Sequence, residues 1–177
     1  VDPAVLRERP ERLRLTWFGH SNVYLQTPTH DVLIDPMFGE RASPFSFAGP
    51  KREVALPLRP EDLPGVDVVL ISHNHYDHLD EGSIEQVEER FAPLFLVPLG
   101  LGETLRGWGA RRVVELDWWQ YVDVGGVRYH CTPAEHFSSR SLLDRDETLW
   151  AGWYLDGLGG EGLTENDLRL YYAGDTG

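Results

Sequence analysis

The chain has 177 residues, with 29 acidic and 16 basic side chains and a formal net charge of −13. This length is typical of one domain, at about 100–200 residues per domain, and needs no disulfides for a stable core. The acidic charge disfavours nucleic acid as a partner, because phosphate binding needs a basic surface, and it disfavours docking to anionic lipid. We expect no transmembrane segment, since no apolar run approaches about 20 residues. The only cysteine, Cys131, favours a reducing compartment, so we predict a cytoplasmic protein.

The first third of the chain is predicted to form a meander of three strands followed by a long loop. A charged segment at 1–11 precedes the strands and predicts a loose arm or a short helix. Short apolar runs separated by turn residues predict strands at 13–18, 23–26 and 32–34. The segment 36–64 has no clear hydrophobic period and holds six prolines. A structureless stretch of this length is often a functional loop.

Strands alternate with helices further along the chain. A nearly continuous apolar run at 66–71 predicts a strand that is buried on both faces. Ser83 and Gln86 resemble a capping box, so a helix is predicted to begin at Ser83. Gly125 and Gly126 predict a hairpin turn between two strands. The other predicted elements are strands at 94–97, 112–116, 121–124, 127–131, 149–155 and 168–172, a short helix at 99–108 and a polar loop at 157–167.

A cluster of candidate metal ligands follows the strand at 66–71. Within six residues the sequence places His73, His75, Asp77 and His78. In an extended stretch His73, His75 and Asp77 project to one side, and a turn at Asp77 can bring His78 to the same centre. Neutral imidazole and carboxylate ligands suit Zn²⁺ and also Fe or Mn. We therefore predict a metal site here rather than a polar loop with satisfied histidines.

Two further candidate ligands also come shortly after apolar strands. His136 follows the strand at 127–131, and Asp175 follows the strand at 168–172. Alone, each residue type is common in polar loops. Because both occur at strand ends, like the cluster above, we predict that His136 and Asp175 complete the metal site.

These residues carry a resemblance to a known family. The HxHxDH pattern at 73–78, a distant histidine and a distant aspartate resemble the metallo-β-lactamase superfamily. Two other segments, FAGPKR at 47–52 and ELDWW at 115–119, are similar to one branch of it. That branch contains N-acyl-phosphatidylethanolamine-hydrolysing phospholipase D and its bacterial relatives. The similar segments extend through nearly the whole chain.

The resemblance implies an α+β protein with the αββα sandwich fold of the metallo-β-lactamase family. It also implies a ligand set: one zinc ion is held by His73, His75 and His136, a second by Asp77 and His78, and Asp175 bridges the two. Asp35 matches an aspartate that supports the metal loop from behind, and partners of that kind orient metal ligands.

One departure from the family concerns its second half. The family domain has two αβ halves, and the resemblance implies that residues 1–177 are mainly the N-terminal half of a C-terminally incomplete domain. In the family the second zinc takes one more histidine from the other half, and no histidine follows His136 here. We therefore expect one metal ion, or two that are poorly retained. An exposed sheet face further predicts a homo-oligomer or a partner that supplies the missing half.

The resemblance implies a zinc-dependent hydrolase that cleaves a phosphodiester of an N-acyl-phospholipid-type substrate through a metal-bound hydroxide. Asp77 is expected to orient that hydroxide. His20 either reaches the substrate or is a structural turn residue. Apolar side chains either line a groove for acyl chains or belong to the core; they are Phe38, Phe45, Phe47, Leu56, Trp118 and Trp119.

Three other functions are open at this point. One is a sugar-phosphate lactonase of the same superfamily, because a charge of −13 is unusual for an enzyme at a membrane surface. Another is an iron oxidoreductase on the same scaffold, since the ligand types do not exclude iron. The third is a metal-binding half-domain that is inactive without a partner. A nucleic-acid enzyme is disfavoured, because one lysine cannot build a basic track.

Overall fold

The computed structural model describes residues 2–45, 47–141, 143–159 and 167–176. Within these residues the chain forms ten β-strands and three α-helices. The strands are β1 Arg14–Gly19, β2 Asn22–Gln26, β3 Asp31–Ile34, β4 Val68–Leu70, β5 Leu94–Pro98, β6 Val113–Leu116, β7 Tyr121–Val124, β8 Val127–Thr132, β9 Gly152–Asp156 and β10 Arg169–Tyr172. The helices are α1 Pro3–Arg7, α2 Glu81–Phe91 and α3 Gly102–Gly107.

The strands form two sheets. The first has six strands in the order β1-β2-β3-β4-β5-β6. Its first three strands pair antiparallel, whereas β3 to β6 pair parallel. The second sheet has four antiparallel strands in the order β10-β9-β8-β7. This mixture of sheets with few helices is the predicted α+β class.

The two faces of the first sheet are covered by different layers. One face packs on the second sheet, and this inter-sheet core contains Ile34, Leu70, Cys131 and Trp153, all buried. The opposite face packs on α2 and α3 through Ile84, Val87 and Leu105. Alternation along each strand sends successive side chains to opposite layers, which explains why β3 and β4 are buried at every position. The order of layers is thus helices, first sheet, second sheet.

All predicted strands are present, with ends that differ by no more than three residues. The segment 36–64 is a loop as predicted, with one 3₁₀ turn at Pro60–Asp62 and a bridge between Arg41 and Lys51. Part of the polar loop predicted at 157–167, namely 160–166, lies outside the described residues. No helix in the described ranges is long and apolar enough to cross a membrane.

The predicted start of the second helix is wrong. Helix α2 begins at Glu81, and its N-cap is Asp80, whose carboxylate accepts a hydrogen bond from the Ser83 backbone N–H at 2.9 Å. Asp and Ser cap helices equally well, so the sequence pattern did not distinguish the two positions. The Ser83 hydroxyl instead accepts a hydrogen bond from the Phe38 backbone N–H at 2.8 Å, which fixes the start of the long loop to α2.

Candidate metal centre

The six predicted ligands converge at one edge of the two sheets. The segment that carries four of them follows β4 of the first sheet, whereas His136 and Asp175 follow β8 and β10 of the second. A turn brings His78 back over this segment, with the His78 backbone N–H donating to the His75 carbonyl at 3.0 Å. The ligand atoms fall into close sets: His73, His75 and His136, then His73, His78 and Asp175, and also Asp77 and His78 together with His20.

The first set consists of three imidazoles. The His75 Nδ1 atom lies 2.9 Å from Nε2 of His73 and 3.2 Å from Nε2 of His136. Donor atoms around a tetrahedral zinc ion with bonds of about 2.1 Å lie roughly 3.4 Å apart, so these separations fit such an ion. Burial, followed by the charges of the neighbouring histidines, lowers the pKa of His73 to about 2. His73 is therefore in the neutral form that binds metal.

Around His78, one histidine lies close to two carboxylates. The His78 Nε2 atom lies 3.1 Å from Oδ1 of Asp175 and 3.9 Å from Oδ2 of Asp77. The His78 side chain is 1% exposed, and its Nε2 has no hydrogen-bond partner among the described residues. An unpaired buried ring nitrogen is costly, and a cation between it and the carboxylates would satisfy it. The donor set thus fits a metal ion here as well.

Asp35 orients His78 from behind. Its buried carboxylate accepts hydrogen bonds from the His78 Nδ1–H at 2.8 Å, from Ser72 Oγ at 2.6 Å and from the Tyr172 hydroxyl at 2.7 Å. The bond to Nδ1 leaves Nε2 directed at the centre. Burial lowers the pKa of His78, but the hydrogen bond that its Nδ1–H donates to Asp35 and the charges of Asp35, Asp175 and Asp77 raise the pKa to about 9 overall. The negative charges that favour a proton on His78 would also attract a metal cation.

His20 lies beside the same centre. Its Nε2 atom is 2.8 Å from Oδ2 of Asp77, and its ring lies 5.3 Å from the ring of His78, centroid to centroid. The His20 backbone has a φ of 51°, in the left-handed region that non-glycine residues rarely adopt. Its carbonyl accepts a hydrogen bond from Trp17 Nε1 at 2.8 Å. The sequence left His20 as either a substrate contact or a turn residue, and it lies at both a turn and the ligand cluster.

Comparisons with known proteins agree with this geometry. The family model described as the beta-lactamase superfamily domain matches residues 30–177. The chain belongs to this superfamily. The metallo-β-lactamase fold predicted from the HxHxDH resemblance is confirmed.

Relatives of this superfamily member are longer than the chain itself. The chain is 42% identical to an uncharacterized protein of Mycobacterium tuberculosis, and the match covers 100% of the chain and 46% of the relative. It is 36% identical to N-acyl-phosphatidylethanolamine-hydrolyzing phospholipase D 1 of Caenorhabditis elegans, over 92% of this chain and 46% of the relative. The chain therefore spans about half the length of these curated relatives.

A solved structure from the superfamily's fold neighbours bears on the metal. The chain superposes on CmlA, a diiron beta-hydroxylase from Streptomyces venezuelae, with a TM-score of 0.66 and 25% identity. The match covers 94% of this chain and 30% of that protein. Histidine and carboxylate donors suit iron as well as zinc, so the fold and the donor types do not choose between them.

Arg140 holds the segment that carries the four clustered candidate ligands, a contact that the sequence did not indicate. Arg140, four residues after His136, donates from Nη1 to the carbonyls of Asn74 at 2.8 Å and Leu79 at 2.6 Å. Its guanidinium carbon lies 4.1 Å from the centroid of the Tyr76 ring. Arg140 therefore ties the loop that carries His136 to the segment that carries the other histidines. Arg140 lies more than 60 residues after both Asn74 and Leu79 in the sequence. No local pattern could therefore have indicated these contacts.

A groove of about 840 Å³ opens beside the centre. His20, His75 and Asp77 form part of its wall, and the apolar part comes from Trp17, Phe18, Met37, Val54, Ala55 and Pro57. The long loop thus borders a groove, but the side chains weighed for this role lie elsewhere. Phe38 is buried in the core, Phe45 and Phe47 are an exposed pair, Leu56 packs on the core, and Trp118 packs on the inter-sheet core with Trp119 exposed beside it.

Proposed function

We propose that this chain carries the metal centre of a metallohydrolase that cleaves a phosphodiester of an N-acyl-phospholipid-type substrate. The observation that supports it most is the convergence of three imidazoles and a fourth histidine with two carboxylates beside a groove. The 36% identity to a phospholipase of that name in Caenorhabditis elegans supports the substrate class. Zinc is the proposed metal, with iron or manganese as alternatives.

Each predicted ligand has a place in this proposal. His73, His75 and His136 would hold one ion, Asp77 and His78 a second, and Asp175 would lie between them. When bound, zinc lowers the pKa of a water molecule toward about 7 and stabilises the negative charge that develops on a phosphoryl oxygen. Asp77 is both at the centre and in the wall of the groove. Its carboxylate can therefore orient a water molecule and accept the proton that the water loses.

The groove supports a substrate with an apolar part. Trp17, Met37 and Val54 offer apolar surface next to His75 and Asp77. An acyl chain lying there would bring its polar end to the metal centre. Lys51 and Arg52 also line the groove, and their positive charges suit a phosphate group.

The test is hydrolysis by the zinc-loaded 177-residue chain. We expect slow turnover of bis(p-nitrophenyl) phosphate and of N-acyl-phosphatidylethanolamine in mixed micelles, abolished by His75→Ala or by a chelator. Clear lactone opening without phosphodiester turnover would favour the lactonase. If only a longer protein is active, the chain is a half-domain that needs a partner or a second copy. The cytoplasmic location stays a prediction that rests on Cys131.

An iron oxidoreductase is the second candidate, favoured by the likeness to the diiron hydroxylase CmlA. The metal content of the chain purified from cells that were supplied with both zinc and iron distinguishes the oxidoreductase from the hydrolase. Near-stoichiometric iron in the purified chain, together with oxygen consumption in the presence of a reductant, would support the oxidoreductase. Zinc without such consumption supports the hydrolase.

A further inference from the structure

The second metal position has an additional donor close by. In the proposed ligand set His78 is the only nitrogen donor at this position, and the remaining donors, Asp77 and the shared Asp175, are carboxylates. The Nε2 atom of His20, a carboxylate oxygen of Asp77 and a ring nitrogen of His78 all lie within 4.8 Å of one another. The distance from Oδ2 of Asp77 is 2.8 Å to Nε2 of His20 and 3.9 Å to Nε2 of His78. These values bracket the roughly 3.4 Å expected between donors around one tetrahedral ion.

The backbone holds His20 in this place despite an unfavourable conformation. Gly19 and His20 have φ values of 103° and 51°, and the pairing of β1 with β2 shifts register between Trp17 and Gly19. The left-handed turn is kept by the hydrogen bond from Trp17 Nε1 to the His20 carbonyl. Ser21 fastens the turn to the ligand segment, because its hydroxyl donates to the Asp77 carbonyl at 3.0 Å. Strained non-glycine residues of this kind cluster at functional sites.

A second, independent observation concerns His78. Its side chain is 1% exposed, its Nδ1 is bound by Asp35, and its Nε2 has no hydrogen-bond partner in the described part of the chain. That orphaned atom lies 3.9 Å from Oδ2 of Asp77, and His78 belongs to the same set as His20 and Asp77. An ion bound by His78, Asp77 and His20 would satisfy it.

We propose that His20 is a ligand of the second metal ion, so that this position has the donors His20, Asp77 and His78 with Asp175 shared. The proposal rests on the metal centre of the proposed function, and it adds a ligand that follows β1 to those that follow β4, β8 and β10. The second ion then has two nitrogen donors that both lie within the described residues. It also borders the groove, since His20 and Asp77 form part of the groove wall.

The test uses Cd²⁺ and Co²⁺ alone as probes of the 177-residue chain. ¹¹³Cd NMR gives one resonance per site, and Co²⁺ titration gives the affinity of each step. The variant is His20→Asn, because asparagine tolerates the left-handed backbone and so separates loss of the imidazole from backbone strain. We expect the second step to weaken at least tenfold and one cadmium resonance to move or vanish, while the other resonance stays in place.

Two further variants make the result specific to a ligand role. In His20→Gly, added imidazole should restore the second step, because a free ring can enter the space that the side chain vacates. His130→Ala is the matched control, since His130 lies on β8 outside the three ligand sets, and it should bind both ions as the unmodified chain does.

The outcomes separate this inference from the proposed function. Two metal ions bound by His20→Asn with unchanged affinities and resonances would overturn the His20 assignment and leave the metal centre in place. A second step that weakens but is not rescued by imidazole in His20→Gly would also overturn it, because His20 would then act only through the turn. If the unmodified chain binds neither probe, the metal centre and the His20 assignment fail together.

Discussion

The Nδ1 atom of His78 donates a hydrogen bond of 2.8 Å to Oδ2 of Asp35, and both side chains are buried. The backbone of Asp35 has a φ of 42°, an unusual conformation directly after β3. This pair fixes the ring of His78 with its free nitrogen toward the two carboxylates. The candidate centre is thus supported by a carboxylate that does not face the metal position itself.

We predict that Asp35→Asn weakens metal binding about 10–100-fold, the usual cost of losing a group that orients a metal ligand. The amide cannot accept all the hydrogen bonds that Ser72, His78 and Tyr172 donate, so the ring of His78 loses its orientation. Competition with a chromogenic chelator measures the affinity. Asp123→Asn is the control, because Asp123 is exposed and pairs with Arg128 on the second sheet. Equal affinities for the two variants would contradict the role given to Asp35.

Arg140→Ala is expected to destabilise the chain and to weaken metal binding together. The substitution removes two charge-assisted hydrogen bonds and a stacking contact, which together contribute on the order of 2–4 kcal/mol at this partly buried site. Urea unfolding of the metal-free chain measures the stability, and the chelator competition measures the affinity. Arg169→Ala removes an exposed pair with Asp156 and should change neither quantity appreciably. A variant Arg140→Ala with unchanged metal affinity would show that the clamp does not position the ligands.

His30 makes the free energy of unfolding depend on pH, independently of the metal centre. Its Nε2 pairs with the Tyr129 hydroxyl at 2.6 Å, and burial, ahead of the opposing charge of Asp67, lowers the pKa of His30. Because the folded-state pKa lies below the unfolded value of about 6.5, the unfolded chain binds more protons in acid. The stabilising contribution is therefore fully present above about pH 6.5 and is lost as the pH falls below that value through the lower folded-state pKa. His30→Gln should flatten the fall in unfolding free energy between pH 7 and pH 5, measured by urea titration. An unchanged slope would mean that His30 titrates as it does in the unfolded chain.

The parts that could be predicted from sequence are those that local patterns encode. Apolar runs located β1 to β10, and the dense histidine segment after β4 indicated four of the candidate ligands before any contact was known. The parts that could not be predicted depend on residues brought together from distant segments. Arg140 meets Asn74 and Leu79, and Tyr172 meets Asp35 across 137 positions. The start of α2 was missed for a different reason, because Asp80 and Ser83 are both good caps and only packing chooses between them.

Elemental analysis of the purified 177-residue chain after dialysis, together with its molar mass in solution, shows whether the chain binds metal and how many ions it holds. We expect about two zinc ions per chain, and clearly less metal in His75→Ala and in Asp175→Ala. No retained metal in the unmodified chain, or full metal in both variants, would contradict the assignment of this cluster as a metal centre.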